Sequence, residues 1–343
     1  MKALVLTEYY KLEYKEVPTP RPGPGEVLLR VKACAICGSD VHGYDGQSGR
    51  RIPPVVMGHE ASGVIEETGP EVKAWRKGDR VTFDSTVYCG SCHYCRKGQI
   101  NLCENRMVLG VSCGDYRRDG AMAEYVVLPE RILYRLPDGV SFEQAAMVEP
   151  LSIAVHATAV SPLKLGDRAV VLGAGTIGLM LTQTLATAGA SQIIVCDLDP
   201  GKLELARKLG ATHTLTSDSG TAGAIQDITG AQGADIAFEA VGIPATFSLA
   251  VNCVHRGGAV VMVGNVTKEV SLPLQKCVTE QIGLYGTCSS SGEYDICLGL
   301  IGGGRLRVDE LISKTAPLEE GGKWFDRLHA AEPGLIKVVL QPD

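Results

Sequence analysis

The spacing of apolar and polar positions changes twice along the 343-residue chain. From Met1 to about Val148 apolar residues fall in short runs. Lys2–Leu6, Glu26–Val31, Gly63–Glu67 and Arg80–Phe83 read as strands, separated by the segment PTPRPGPG and by the glycines between Gly58 and Thr82. Short strands punctuated in this way predict a bent or barrel-like sheet. From Ser152 to about Thr287 strand and helix patterns alternate. The predicted strands are Ala169–Leu172, Gln192–Asp197, Thr212–Thr216, Asp235–Glu239, Ala259–Val263 and Ile282–Tyr285. Six strands with helical crossovers make a complete doubly wound parallel sheet. A further helix near Lys323–Glu332 and a last strand, Ile336–Leu340, are surplus to that sheet. They are expected to rejoin the N-terminal region, which makes the α/β segment an insertion. The expected division is residues 1–151, 152–287 and 288–343.

One stretch of the insertion carries chemistry. Arg168 to Asp197 opens with the buried-strand pattern Ala169 to Leu172 and turns through Gly173, Gly175 and Gly178. It then enters a helix, Ile177–Ala188, and ends a second apolar run at Asp197. GxGxxG alone is weak evidence, but here a strand precedes it, a helix follows, and a carboxylate lies about 20 residues on. Gly173 permits the tight turn, Gly175 lets backbone approach a pyrophosphate, and Gly178 allows close packing of helix on strand. Free N–H groups at the helix start, around Thr176 and Ile177, attract phosphate. A carboxylate at Asp197 accepts from both adenosine ribose hydroxyls and repels a 2′-phosphate, and no arginine follows it. NAD is therefore expected over NADP. Lys202, one turn into the next helix, reads equally as a ribose contact or a solvated lysine.

Composition narrows the class. Hydrophobic residues make up 45% and charged residues 21%, and the net charge is −6 without a basic tract. That excludes the electrostatic footprint of a nucleic-acid binder. The N-terminal apolar run stops at Thr7 and Glu8, too short for a signal peptide, and no run approaches a membrane span. A cytoplasmic location is expected. Twelve cysteines in a reducing compartment argue for metal ligation and free thiols over a disulfide framework.

Two metal constellations stand out. Cys89, Cys92, Cys95 and Cys103 place four thiols within fifteen residues, enough to wrap one tetrahedral zinc and to order a loop without its own core. An iron–sulfur cluster is the competing reading. The seven-residue last gap and the lack of a Cys-Pro ending speak against it. Four thiolates close the coordination shell, so this zinc is assigned to structure. The second set is dispersed: Cys37, Gly58-His59-Glu60, and Glu149 before Pro150. Mixed sulfur, nitrogen and oxygen donors suit a catalytic zinc that keeps an exchangeable position. Taken singly, these residues read as a small buried thiol, a loop histidine and a helix-end carboxylate.

Together, these residues resemble the zinc-dependent medium-chain alcohol dehydrogenase family, and within it the polyol branch around sorbitol dehydrogenase. The resemblance spans the chain and rests on Cys37-Gly38-Ser39-Asp40-Val41-His42, Gly58-His59-Glu60, the four-cysteine lobe, Glu149-Pro150-Leu151-Ser152 and the glycine loop. It implies a GroES-like β-rich catalytic domain with an inserted Rossmann domain, and zinc and nicotinamide in the cleft between them. Two zinc ions per chain and NAD are the implied cofactors. Cys37 and His59 are the implied ligands of the catalytic zinc, with Glu60 as a third and Glu149 as ligand or water-bridged partner. Ser39 is implied to hydrogen-bond the alcohol and pass its proton through the nicotinamide ribose to His42. A hydroxyl-to-imidazole relay also follows from chemistry, since a proton must leave a site closed to water. Asp40 reads as a structural turn residue. Val263 and Thr287, expected at strand ends, are candidates for backbone contact with the carboxamide. Relatives assemble as dimers or tetramers, so a homo-oligomer is implied.

The substrate is less legible. Animal-type sorbitol dehydrogenases carry a tyrosine directly after the histidine matching His42, whereas here Gly43 intervenes before Tyr44. The Arg-Tyr pair expected after the sixth strand is replaced by Thr287-Cys288-Ser289-Ser290-Ser291-Gly292-Glu293-Tyr294. A sugar alcohol or related diol is favoured. L-threonine 3-dehydrogenase and 2,3-butanediol dehydrogenase are the enzyme alternatives, and an NAD-binding structural or sensor protein is the non-enzyme one.

Overall fold

The computed structural model describes residues 1–342. The chain divides into two compact units: Met1–Glu149 with the segment from Ser290 onward, and Pro150–Ser289.

The first unit is organised on Glu26–Ala35. Val27, Leu29 and Val31 alternate into the core, and burial then extends to both faces at Ala33, Cys34 and Ala35. This strand pairs antiparallel with Glu60–Thr68, with Tyr125–Pro129 and with Lys337–Gln341. Leu4, Leu6, Leu29, Ile65, Phe83, Leu128 and Phe325 form its fully buried core. Each such side chain contributes roughly 1.5–3 kcal/mol relative to exposure. The sheet register also decides where chemistry falls. Ala35 pairs with Glu60 and, on its other edge, with Val339. Cys37, His59 and Lys337 therefore all arrive at one end of three neighbouring strands.

The second unit is a six-stranded parallel sheet. Its spatial order is His213–Thr216, Gln192–Asp197, Arg168–Leu172, Ala234–Glu239, Val254–Met262, Gly283–Gly286. The first three run in reverse chain order, so direction switches beside Arg168–Leu172. That switch point is where open α/β sheets bind ligands. Ala169 to Leu172 are buried on both faces, as parallel strands covered by helices require.

The GroES-like and doubly wound architectures agree with the sequence patterns, but two elements do not follow from them. Tyr294–Gly302 is a helix and Ile312–Pro317 a strand that pairs parallel with Lys337–Gln341. The helix, YDICLGLIG, is apolar on nearly every face and holds two glycines, so helical periodicity is masked. No helix among the described residues is long and apolar enough to cross a membrane.

Candidate active site and nucleotide loop

One ligand atom from each of Cys37, His59 and Glu60 falls within 4.8 Å of the others. Cys37 caps the helix Gly38–Tyr44, and its Sγ accepts from Ser39 N at 3.4 Å and Ser39 Oγ at 3.3 Å. Gly58 sets up His59: its φ is +96°, and a Cβ there would lie 2.7 Å from Met122 Cγ and 2.8 Å from Cys34 Sγ. Only glycine lets the chain turn there without displacing the core. His59 Nδ1 is buried with no hydrogen-bond partner, 3.4 Å from Asp40 Oδ1. A thiol, an imidazole whose Nδ1 is turned toward Asp40, and a carboxylate at this spacing fit a zinc ion.

Asp40 is more than a turn residue. It is fully buried; its Oδ2 accepts from Cys37 N at 3.3 Å and its Oδ1 from Arg51 Nη2 at 2.8 Å. Burial alone would raise its carboxyl, but His59 and then Arg51 outweigh burial and hold it well below the carboxylate range. For His59 burial pulls the imidazole down, yet Asp40 and Cys37 raise it above the histidine range. Glu60 in turn accepts from Lys337 Nζ at 2.7 and 3.0 Å. The sequence reading missed Asp40, Arg51 and Lys337 as members of the site.

Glu149 lies outside the three-residue donor cluster. It is buried, and its Oε1 accepts from Ser85 Oγ at 2.9 Å. Burial raises its carboxyl, and the charge of Glu60 adds to that rise. Its neighbour in sequence to Ser85, Asp84, is pushed up to about 7 chiefly by burial, and its Oδ2 has no partner. Ser39 and His42 are both exposed on the Gly38–Tyr44 helix. Tyr44 turns inward, where its hydroxyl meets Asp326 Oδ1 at 2.7 Å and its ring packs on Phe325. Of the polar segment after Thr287, Ser291 N donates to Glu293 and Ser291 Oγ to Gly98 O at 2.9 Å.

The four-cysteine lobe brings Cys89, Cys92, Cys95 and Cys103 sulfurs within 4.8 Å of one another. Backbone N–H groups of Ser91 and Cys92 draw the Cys89 thiol down to about 5, while desolvation pushes Cys95 up to about 12. Crowded sulfurs served by backbone donors fit a shared cation with four thiolate ligands.

In the second unit Gly175 caps the helix Thr176–Ala188 without a side-chain bond to its first N–H groups. A Cβ on Gly178 would lie 1.7 Å from Gly173 O, so helix and strand touch backbone to backbone. Gly173 has φ +97°, and no atom lies within 4 Å of a Cβ on Gly175. Ile177 follows Thr176 in the first turn. Asp197 Oδ2 accepts from Ala174 N at 2.6 Å and Oδ1 from Asp199 N at 2.9 Å, which ties the carboxylate to the loop. These features fit a dinucleotide pyrophosphate and ribose. Lys202 is half-buried on the helix Pro200–Lys208. Val263 and Thr287 each fall one residue beyond their strands, because the ladders end at Met262 and Gly286.

Comparison with known proteins agrees with this geometry. Residues 23–138 match the alcohol dehydrogenase GroES-like domain and residues 176–301 the zinc-binding dehydrogenase domain. The chain belongs to the zinc-dependent medium-chain alcohol dehydrogenase family, and it is an oxidoreductase. It is 32% identical to sorbitol dehydrogenase of Bacillus subtilis (strain 168), covering 100% of this chain and 98% of that protein. It is 33% identical to L-threonine 3-dehydrogenase of Alteromonas mediterranea, covering 99% of both. Alcohol dehydrogenase TADH from Thermus sp. ATN1 superimposes with a TM-score of 0.93 at 33% identity, over 100% of both chains.

Proposed function

We propose that this protein oxidises a secondary hydroxyl of a sugar alcohol or related diol to a ketone, reversibly, with NAD reduced to NADH and one proton released. The observation that carries the reading is the gathering of Cys37, His59 and Glu60 donor atoms within 4.8 Å, with Ser39 Oγ 3.3 Å from Cys37 Sγ. Zinc held by these donors would supply Lewis acidity at the substrate oxygen, and NAD at the glycine loop an acceptor for hydride. Ser39 accepts the substrate hydroxyl proton as it releases its own toward His42, which is exposed on the same helix and passes a proton to solvent. Glu149, kept by Ser85, adds a buried carboxyl beside this set. Cys89, Cys92, Cys95 and Cys103 hold a second, structural zinc.

Asp197 supports NAD over NADP, and Lys202, Val263 and Thr287 remain candidate contacts to the same cofactor. The twelve free cysteines support a reducing, cytoplasmic setting. Exposed Leu274, Val278 and Tyr285, on and before the edge strand Gly283–Gly286, support assembly of copies through the second unit. The likeness to L-threonine 3-dehydrogenase keeps threonine as the second reading. The test is NADH formation across sugar alcohols, diols and L-threonine. Turnover of polyols with little turnover of threonine is expected; turnover of threonine alone would reverse the substrate assignment.

A further inference from the structure

The guanidinium of Arg51 is a buried cation next to the donor set, and neither zinc nor nucleotide binding by itself calls for it. The side chain is 3% exposed. Nη2 donates to Asp40 Oδ1 at 2.8 Å and reaches Ser39 Oγ at 3.4 Å; Nη1 lies 3.5 Å from Arg50 O, and Nε is buried without a partner. Arginine has donors only, so both contacts have a fixed sense. Nη2 takes one acceptor site of the serine oxygen. One lone pair remains for an incoming hydroxyl, and the serine's own O–H is left to donate away from Arg51; here it lies 3.3 Å from Cys37 Sγ. The same nitrogen fixes the carboxylate that stands 3.4 Å from His59 Nδ1 and accepts from Cys37 N.

Gly43 makes this placement possible. A Cβ on Gly43 would lie 2.1 Å from Arg51 Cγ and 2.9 Å from Arg51 Cβ. Any other residue at 43 evicts the arginine, so the glycine after His42 and the buried cation form one device. We infer that Arg51, admitted by Gly43, is a positioning residue that orients the Ser39 hydroxyl and steadies Asp40 behind His59. The inference rests on the proposed function and deepens it.

The test uses zinc-loaded protein carrying Arg51→Met, Arg51→Lys, Gly43→Ala, Ser39→Ala and Arg51→Met with Ser39→Ala. Two readouts are taken: steady-state kcat and KM, and the rate at which zinc leaves Cys37 and His59 for a chelator. Arg51→Met should lower kcat about tenfold with KM within about twofold, and should speed zinc loss about tenfold. In the Ser39→Ala background the same change should leave kcat where Ser39→Ala alone puts it, since the two residues act as a unit. Gly43→Ala should reproduce Arg51→Met. Arg51→Lys, keeping a charge for Asp40 without the fork, should restore zinc retention but not kcat. Independent kcat losses in the double variant, or unchanged zinc release, would overturn the inference. Failure of the underlying reading looks different: the unaltered protein would then hold no zinc that depends on Cys37, or Ser39→Ala would keep full kcat.

Discussion

Lys337 Nζ donates to both carboxylate oxygens of Glu60, at 2.7 and 3.0 Å, and to Ile36 O at 3.1 Å, with both side chains buried. The pair joins the last strand to the first residue of Glu60–Thr68 and fixes the carboxylate beside Cys37 and His59. Burial alone would lower the lysine ammonium, but Glu60 outweighs it and keeps Lys337 charged.

Removing that lysine leaves a buried carboxylate without its counter-charge. Lys337→Met should therefore cost about 3–5 kcal/mol in the stability of the first unit. The loss should be larger after chelator treatment than with zinc present, because a dication near Glu60 replaces part of the missing charge. Thermal melts with and without chelator check this; equal losses in both would show that Glu60 does not face the metal.

Asp84 gives a pH dependence of definite sign. Its folded carboxyl is raised to about 7 by burial, above the ordinary value of 3.8. The native state therefore holds a proton that the unfolded chain has lost over that window. The stability it contributes is complete below about pH 4 and disappears as pH rises through about 7. Between pH 5.5 and 8.5 the wild type should lose roughly 2 kcal/mol relative to Asp84→Asn. Parallel melting curves over that range would contradict the assignment.

Asp197 is bonded to Ala174 N and Asp199 N. Asp197→Ala should weaken NAD use and remove repulsion toward a 2′-phosphate, which moves the NAD:NADP ratio of kcat/KM by about tenfold toward NADP. An unchanged ratio would show that the carboxylate serves the loop alone.

What the sequence made legible is what lies close in sequence. The glycine loop, the four cysteines and the pairs Cys37-Ser39 and His59-Glu60 each sit inside a short stretch whose chemistry depends on spacing. The six parallel strands were legible for the same reason: apolar runs alternate with helical ones. Lys337 was not, because its partner is 277 residues away and a lysine in a C-terminal strand looks like a surface residue. Arg51 lies in a polar loop segment where burial leaves no mark, and its place depends on a missing side chain at Gly43. Asp40 carries a capping signature that is complete in itself, with Cys37 N as its backbone partner. Its second contact, to His59, needs the fold. The helix Tyr294–Gly302 escaped because it lacks a polar face.

Turnover requires an ion held by Cys37 and His59 that is chemically distinct from the ion of the four-cysteine lobe. Metal analysis of the purified chain alongside Cys37→Ser and Cys92→Ser addresses it directly. Two zinc ions are expected in the unaltered protein. Cys37→Ser should hold one, stay folded and form no NADH. Cys92→Ser should lose the other zinc and melt or aggregate at lower temperature. A Cys37→Ser protein that still holds two zinc ions and turns over substrate would contradict it.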